Sequence, residues 1–278
     1  MLQATPIDKP DTINNSLKWP RKVDLFGVNV TPTNYTEATN VIMDAACRGA
    51  SGLVSCYSTH SLIEASRGDD FRRAANVFDM ITPDGQPVRW ALNILHQAGL
   101  DDRVYGPELT LRICKSAAEH GVSIYLYGSS AEVIAALREN LSRMFPDLKI
   151  VGAESPPYRQ LTEAEDADTV HRINESGAGI LFIGLGCPKQ DFFAFEHRNR
   201  LKLVQVCVGA AFDFHSGNKK MAPGWMQRHA LEWLYRLIHE PRRLCGRYLL
   251  TNSIFLLMLF LHFCGFGETT QKRSLETV

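Results

Sequence analysis

The stretch Ile180-Leu181-Phe182-Ile183-Gly184-Leu185-Gly186-Cys187-Pro188-Lys189-Gln190-Asp191 decides the fold class. Four consecutive large apolar residues do not alternate with polar ones. Both faces of such a strand must be covered, as in the interior of a parallel sheet. Gly-Leu-Gly then gives a tight turn, and Pro188 opens a helix expected over 188–198. The same alternation recurs along the chain. Strands over 53–57, 79–82, 123–128 and 149–152 lead into helices over 61–76, 86–96, 131–144 and 162–175, and a last strand covers 203–209. A short strand or the start of a hairpin is expected over 23–30, and further helices over 35–48, with Thr33 or Asn34 as cap, and 107–120. Short apolar strands alternating with helices of ten or more residues make βαβ units. The fold class is therefore α/β, an open, mostly parallel sheet flanked by helices. In such sheets ligands bind outside the carboxyl ends of the strands.

Composition narrows the function. The chain of 278 residues is 45% hydrophobic and 22% charged, enough for a sizeable core. Thirty basic residues balance thirty acidic ones, which argues against a general nucleic-acid binder. The seven cysteines include no CxxC pair and no Cys/His cluster, so neither a disulfide framework nor a zinc site is expected, and a reducing cytoplasm fits. The N-terminus has no apolar run of the kind that marks a secretory signal. Beyond Gly209 the character changes. A helix rich in Trp, Leu and Arg is expected over 225–239, Pro241 opens another, and 254–263 is almost purely apolar. The expected organisation is a loose tail over 1–20, an α/β body over 21–220, a helical appendage with an apolar anchor over 221–266, and a polar tail over 267–278.

Several segments carry side chains suited to chemistry, each with a plain structural alternative. Asp84, in Thr82-Pro83-Asp84-Gly85, follows a strand and would lie on the ligand-binding rim as a general base, or it simply closes a turn before glycine. Arg103 precedes a Gly-Pro turn and could grip a diphosphate in a bidentate manner, or pair at the surface with Asp101 or Asp102. The backbone N–H groups of Lys189 and Gln190, after Gly-x-Gly, are placed to form an anion site at a helix start. Asp213 could accept hydrogen bonds from a ribose or base, or cap a turn; His215 is as well suited to a structural role as to a functional one. On one continuous helix Arg236, Arg243 and Arg247 would share a face, though Pro241 would bend it. Beside Trp225, Trp233 and Tyr235 this basic stripe suits an anionic membrane surface, or a solvated face over packed aromatics.

The order of these segments is more specific than any one of them. TPDG, DRVYGPELT, IYLYG, FPDLKIVGAESPPYR, ILFIGLGCPKQ, VGAAFDFHSG, APGWMQRHALEWLYRL and EPRR together resemble the WecG/TagA/CpsF glycosyltransferases over nearly the whole body. The resemblance implies a Rossmann-like body with a membrane-directed helical appendage. It implies an inverting transfer of an N-acetylhexosamine-type sugar from a UDP-sugar to a polyprenyl-diphosphate-linked saccharide, in cell-envelope or exopolysaccharide synthesis. No metal and no cofactor are implied, since the UDP-sugar is a substrate. The literal Asp166-Ala167-Asp168 falls inside a polar helix, where residues two apart diverge. By position Asp84 matches the catalytic base, and Arg103 and Gln190 match polar residues of the active site. Tyr158 and Asp213 match nucleotide-contacting positions, and Arg236, Arg243 and Arg247 the appendage arginines thought to close the site. Ser58 and Thr59 stand where the family commonly has Thr-x-Asn; the PKQE motif reads Pro188-Lys189-Gln190-Asp191, and Met221 replaces an arginine before Ala-Pro. The donor sugar, the final polymer and the oligomeric state, a homo-oligomer included, stay open.

The apolar segment over 248–266 is interrupted by Thr251, Asn252, Ser253 and His262. Against the roughly 20 apolar residues a span requires, an embedded or interfacial anchor is the better expectation. Its basic N-terminal flank would keep the body on the cytoplasmic side. Two rival functions are weaker. A nicotinamide oxidoreductase would need a third glycine after Gly186 and an acid ending the next strand. A non-catalytic nucleotide-binding or scaffold component of a polysaccharide assembly complex would not need Asp84, Arg103 and Gln190 together.

Overall fold

The computed structural model describes residues 17–265, without the side chains of Arg228, Arg243 and Arg247. The expected polar tail over 267–278, and all but the last residues of the expected tail over 1–20, lie outside the described residues.

An antiparallel hairpin, β1 (Val23–Leu25) and β2 (Val28–Val30), leads into α1 (Tyr35–Cys47), capped by the Asn34 side chain on the Glu37 N–H. Next come β3 (Gly52–Tyr57), α2 (Thr59–Arg67), α3 (Asp69–Val77), β4 (Met80–Pro83), α4 (Gln86–His96) and α5 (Gly106–His120). The second half of the body comprises β5 (Ile124–Gly128), α6 (Ala131–Met144), β6 (Ile150–Glu154), α7 (Glu163–Glu175), β7 (Ile180–Gly184), α8 (Lys189–His197) and β8 (Val204–Cys207). The chain then runs through α9 (Ala211–His215), α10 (Gly224–Arg228), α11 (Glu232–His239) and α12 (Pro241–Phe263).

β3 to β8 form one sheet in the order β4-β3-β8-β7-β5-β6, and every pairing is parallel. The apolar run of β7 explains its place inside this sheet. Leu181 and Ile183 pack into the layer on one face, with Tyr57 and Phe193; Ile180 and Phe182 pack into the layer on the other, with Val54 and Phe212. All four are fully buried, each contributing about 1.5–3 kcal/mol relative to exposure. Glycine closes the strand ends where the sequence places it. A Cβ on Gly128, at φ 132, would lie 2.6 Å from the Gly184 carbonyl carbon, and one on Gly184 would lie 2.4 Å from the Phe212 ring. The ends of β5 and β7 therefore approach closely, with Phe212 of α9 against them.

Two helical expectations are corrected, and one left conditional is decided. The helix expected over 61–76 is two, because Gly68 adopts an extended conformation (φ −105, ψ 115) between α2 and α3. The helix expected over 225–239 is also two, broken where Ala230 takes a positive φ of 60. Arg236 does not share a continuous helix with Arg243 and Arg247: the chain leaves helical geometry at Glu240 (φ −133, ψ 55), before Pro241 starts α12.

α12 is long and apolar enough over Leu244–Phe263 to cross a membrane by length and composition. It does not project from the body, however. It packs against α2 and α4, burying Leu244, Thr251 and Phe255, with the Phe255 ring edge-on to Phe26 at 5.5 Å. The opposite face carries Leu249, Leu256, Leu257, Phe260 and Phe263, all exposed, and Trp90 and Ile94 of α4 are exposed as well.

Candidate active site

The carboxyl ends of β3, β4, β5, β7 and β8 open into a cavity of about 1270 Å³. Typical small-ligand pockets hold about 300–1,000 Å³, so this one has room for two substrates side by side. α11 and α12 contribute to its wall through Trp233, Arg236 and Tyr248.

Asp84 ends β4, and its position is set by the backbone. Its N–H continues the sheet by donating to the Tyr57 carbonyl at 3.1 Å, and its Oδ2 accepts the Gly106 N–H, the first of α5, at 2.7 Å. The positive end of α5 thus faces the carboxylate. Burial nevertheless dominates and raises the Asp84 pKa from 3.8 to about 6; nearby Arg103 and the Gly106 N–H pull the other way, and Glu232 adds to the rise.

Arg103 does not form the surface pair with Asp101 or Asp102 that the sequence left open for its guanidinium; only its backbone N–H reaches Asp102, at 2.7 Å. The guanidinium turns inward to Glu232 of α11 at 2.5 Å and lies 4.2 Å above the Tyr105 ring. The two side chains of this ion pair are only 12% and 8% exposed. The Tyr105 hydroxyl donates to the other Glu232 oxygen at 2.8 Å, and burial raises its pKa so that it stays a donor. Arg236, one turn along α11, is 3.9 Å from Glu232. Two carboxylates and two guanidiniums are therefore interleaved at one end of the cavity. Glu232 and Tyr105 escaped the sequence reading. The available signal was a lone acid in a helix otherwise built from Trp, Leu, Ile, Tyr, Arg and His.

The other expected residues line the same cavity in different places. Ser58 caps α2 by accepting the Ser61 N–H, and Thr59 packs beside Gly85. Gln190 is nearly buried, and its Oε1 accepts the Gly186 N–H at 3.1 Å. The anion site expected at this helix start is only half formed, because the Gln190 N–H donates to the Gly186 carbonyl at 2.9 Å. Asp213 of α9 pairs with Lys219 at 3.4 Å, and Tyr158 stands at the rim, 89% exposed. His215 is structural, its Nε2 2.8 Å from the Pro107 carbonyl. The side chains of Arg243 and Arg247 lie outside what the structure describes.

Asp191 lies beneath Gln190, fully buried between α8 and β3. Its Oδ1 accepts the Ser55 hydroxyl at 2.7 Å, while Oδ2 and the Tyr57 hydroxyl make no well-formed hydrogen bond. Burial raises its pKa to about 7 against the pull of Ser55 and Tyr57. Asp166 and Asp168 diverge as helical geometry requires: the first pairs with His197 and Arg200, the second with Arg172. Among the described residues no group of three or more His, Cys, Asp or Glu side chains is arranged to hold a metal ion.

Two curated relatives are similar to this chain. One from Bacillus spizizenii (strain W23) is 31% identical over 181 residues, covering 65% of this chain and 68% of the relative. One from Bacillus subtilis (strain 168) is 30% identical over 192 residues, covering 69% and 73%. Both bear the name N-acetylglucosaminyldiphosphoundecaprenol N-acetyl-beta-D-mannosaminyltransferase. The family model described as glycosyl transferase WecG/TagA/CpsF family matches residues 23–266, from β1 to beyond α12 and across every wall of the cavity. This chain is a glycosyltransferase and belongs to the WecG/TagA/CpsF family.

Proposed function

We propose that the chain is an inverting, metal-independent transferase at the cytoplasmic face of the membrane. It moves an N-acetylhexosamine, with N-acetylmannosamine the first candidate, from a UDP-sugar to an N-acetylglucosaminyl-diphosphoundecaprenol acceptor. The names of the two relatives supply the sugar and the acceptor. The observation that carries the chemistry is Asp84, a carboxylate with a pKa of about 6 beside Arg103 and Arg236 in a cavity large enough for donor and acceptor.

In this reading the acceptor hydroxyl attacks the anomeric carbon in line. Its oxygen forms the new glycosidic bond while the bond from the anomeric carbon to the UDP oxygen breaks. UDP leaves with the electron pair, and Asp84 takes the hydroxyl proton. At neutral pH most Asp84 is ionised and yet basic enough to accept that proton, the condition under which general bases work best. The charge growing on UDP is met by Arg103, Arg236 and backbone N–H groups held in place before reaction. Gln190, Ser58, Thr59, Asp213 and Tyr158 are assigned to substrate contacts, and Arg243 and Arg247 to the acceptor diphosphate. The exposed apolar face of α12 lies flat in the headgroup boundary. A helix with one face committed to the protein suits this placement better than a span, whose whole circumference would meet lipid.

The test is UDP release from a panel of UDP-sugars, with and without a polyprenyl-diphosphate-GlcNAc analogue, in excess EDTA. Acceptor-dependent release with one donor is expected. Absence of release with every donor, together with no calorimetric UDP binding, would overturn the proposal.

A further inference from the structure

We propose that Glu232 is a positioning residue that clasps α11 over the cavity and holds the Arg103 guanidinium against the Asp84 side of the site. The inference rests on the transferase reading above and extends it to a residue that sequence reasoning passed over. Glu232 comes from the C-terminal helices, yet its side chain is among the most buried charges of the described residues, 8% exposed. Both its oxygens are committed to the body, one to Arg103 at 2.5 Å and the other to the Tyr105 hydroxyl at 2.8 Å. Arg103 and Tyr105 flank Val104, whose N–H donates to the Pro83 carbonyl, next to Asp84. The clasp therefore grips the short segment that also fixes the base. Lys219, which bridges Asp213 and Glu240 at 3.4 Å each, makes a second tie between body and C-terminal helices.

A guanidinium near a leaving diphosphate is effective only if its direction is fixed beforehand. Arg103 has several rotatable bonds, and an anionic ligand alone would have to order them. Glu232 occupies one edge of the guanidinium and Tyr105 supports its face, leaving the remaining N–H donors aimed by packing. One buried partner also offsets the cost of desolvating this cation. Burial alone would lower the Arg103 pKa; Glu232 and Asp84 more than offset that and hold it above its usual value.

Glu232→Gln separates this role from a merely structural one. The amide keeps an acceptor for Tyr105 but turns N–H donors toward the guanidinium. The charged and titratable groups facing Asp84 are Tyr35 of α1, Cys56 of β3, Arg103 and Tyr105 before α5, and Glu232 and Arg236 of α11. Of these the substitution removes one negative charge and loosens one positive. Removing the Glu232 charge lets Asp84 ionise at lower pH, so the acid limb of kcat/KM should move to lower pH. Loss of aim should appear in kcat, about 10- to 100-fold, with little change in KM. Glu232→Asp, which keeps the charge and shortens the reach, should return the acid limb while kcat stays reduced. Backbone amide exchange of the full-length chain gives a readout free of turnover: α11 should exchange faster in Glu232→Gln. A Glu232→Gln variant with unchanged kcat and pH profile would overturn the inference, as would faster exchange without any kinetic change, which makes the clasp structural only. A wild-type chain that turns over no donor fails the transferase reading instead, and unchanged exchange would then still overturn the clasp.

Discussion

Asp84→Asn should destroy activity and stabilise the protein at the same time. The asparagine oxygen can still accept the Gly106 N–H that Asp84 accepts at 2.7 Å, so the turn into α5 keeps its shape. What disappears is the proton acceptor, and loss of a general base costs about 10²–10⁴-fold in rate. The stability change follows from linkage. Burial raises the Asp84 pKa in the folded chain from 3.8 to about 6, so the folded state holds its proton over a pH range in which the unfolded chain has released it. Stability contributed by the neutral form is fully present below pH 3.8 and is lost as pH rises to about 6. Fully ionised, the side chain then costs the fold about 3 kcal/mol at most. An asparagine never ionises, and after allowance for water reaching this part-exposed side chain the gain above pH 6 is about 1–3 kcal/mol. At about 2–4 °C per kcal/mol for a chain of this size class, thermal unfolding at pH 7.5 should show a rise of several degrees. At pH 3.5 wild type and variant should melt together. Acceptor-dependent UDP release, measured on the same preparations, should fall by at least about 100-fold. A variant that keeps near-normal turnover would refute Asp84 as base. One that loses activity and melts lower at pH 7.5 would refute the electrostatic argument, because activity would then have been lost with the structure.

The remaining predictions concern residues away from the reacting atoms. Asp191→Asn should raise the melting temperature at pH 8 but not at pH 3.5, since burial lifts the Asp191 pKa to about 7 and the ionised form alone is penalised; equal melting shifts at both pH values would contradict this. Replacing Leu256, Leu257 and Phe260 by serine together should leave the melting temperature nearly unchanged, because all three are exposed. The same variant should weaken sedimentation with anionic vesicles by at least about 100-fold, and undiminished vesicle binding would remove α12 as the membrane contact.

Much of the body was legible because its signals are local. The apolar run of β7, the glycine that ends it and the proline-led helix that follows each report on neighbours within a few residues, and together they require a covered parallel strand. The boundaries that failed did so for equally local reasons with two outcomes. Gly68 can sit inside a helix at a modest cost or break it, and here it breaks it. Ala230 gives no warning at all: its positive φ of 60 is imposed by the turn that brings α11 down onto the body. Whether Arg236 and Arg243 share one helix stayed open in the sequence for a similar reason, since proline at the first turn of a helix and proline at a kink within one look alike.

The Asp84 neighbourhood shows where local reading ends. Asp84 could be placed at a strand end, and hence on the rim, from its own tetrapeptide and the strand before it. Its chemistry could not, because the pKa near 6 depends on burial, on Arg103 and on Glu232. Arg103 and Glu232 are 129 residues apart and share no period, so each alone reads as a surface charge. Only the return of α11 across the strand ends makes them a buried pair, and that return is driven by packing further on, where Leu244, Thr251 and Phe255 settle against the body. The apolar helix that serves as the proposed membrane contact is thus also what holds the clasp in place. Disturbing its inner face should therefore reach the site, while disturbing its outer face should not. Phe255→Ala would remove a buried ring edge-on to Phe26 at 5.5 Å, a change that costs about 3–5 kcal/mol in packed cores. It is expected to lower kcat on a soluble acceptor analogue in the same sense as Glu232→Gln, where the outer-face serines leave kcat unchanged. An unchanged kcat on the soluble analogue in Phe255→Ala, as in the outer-face serines, would mean that α12 acts on turnover only by bringing the enzyme to its lipid substrate.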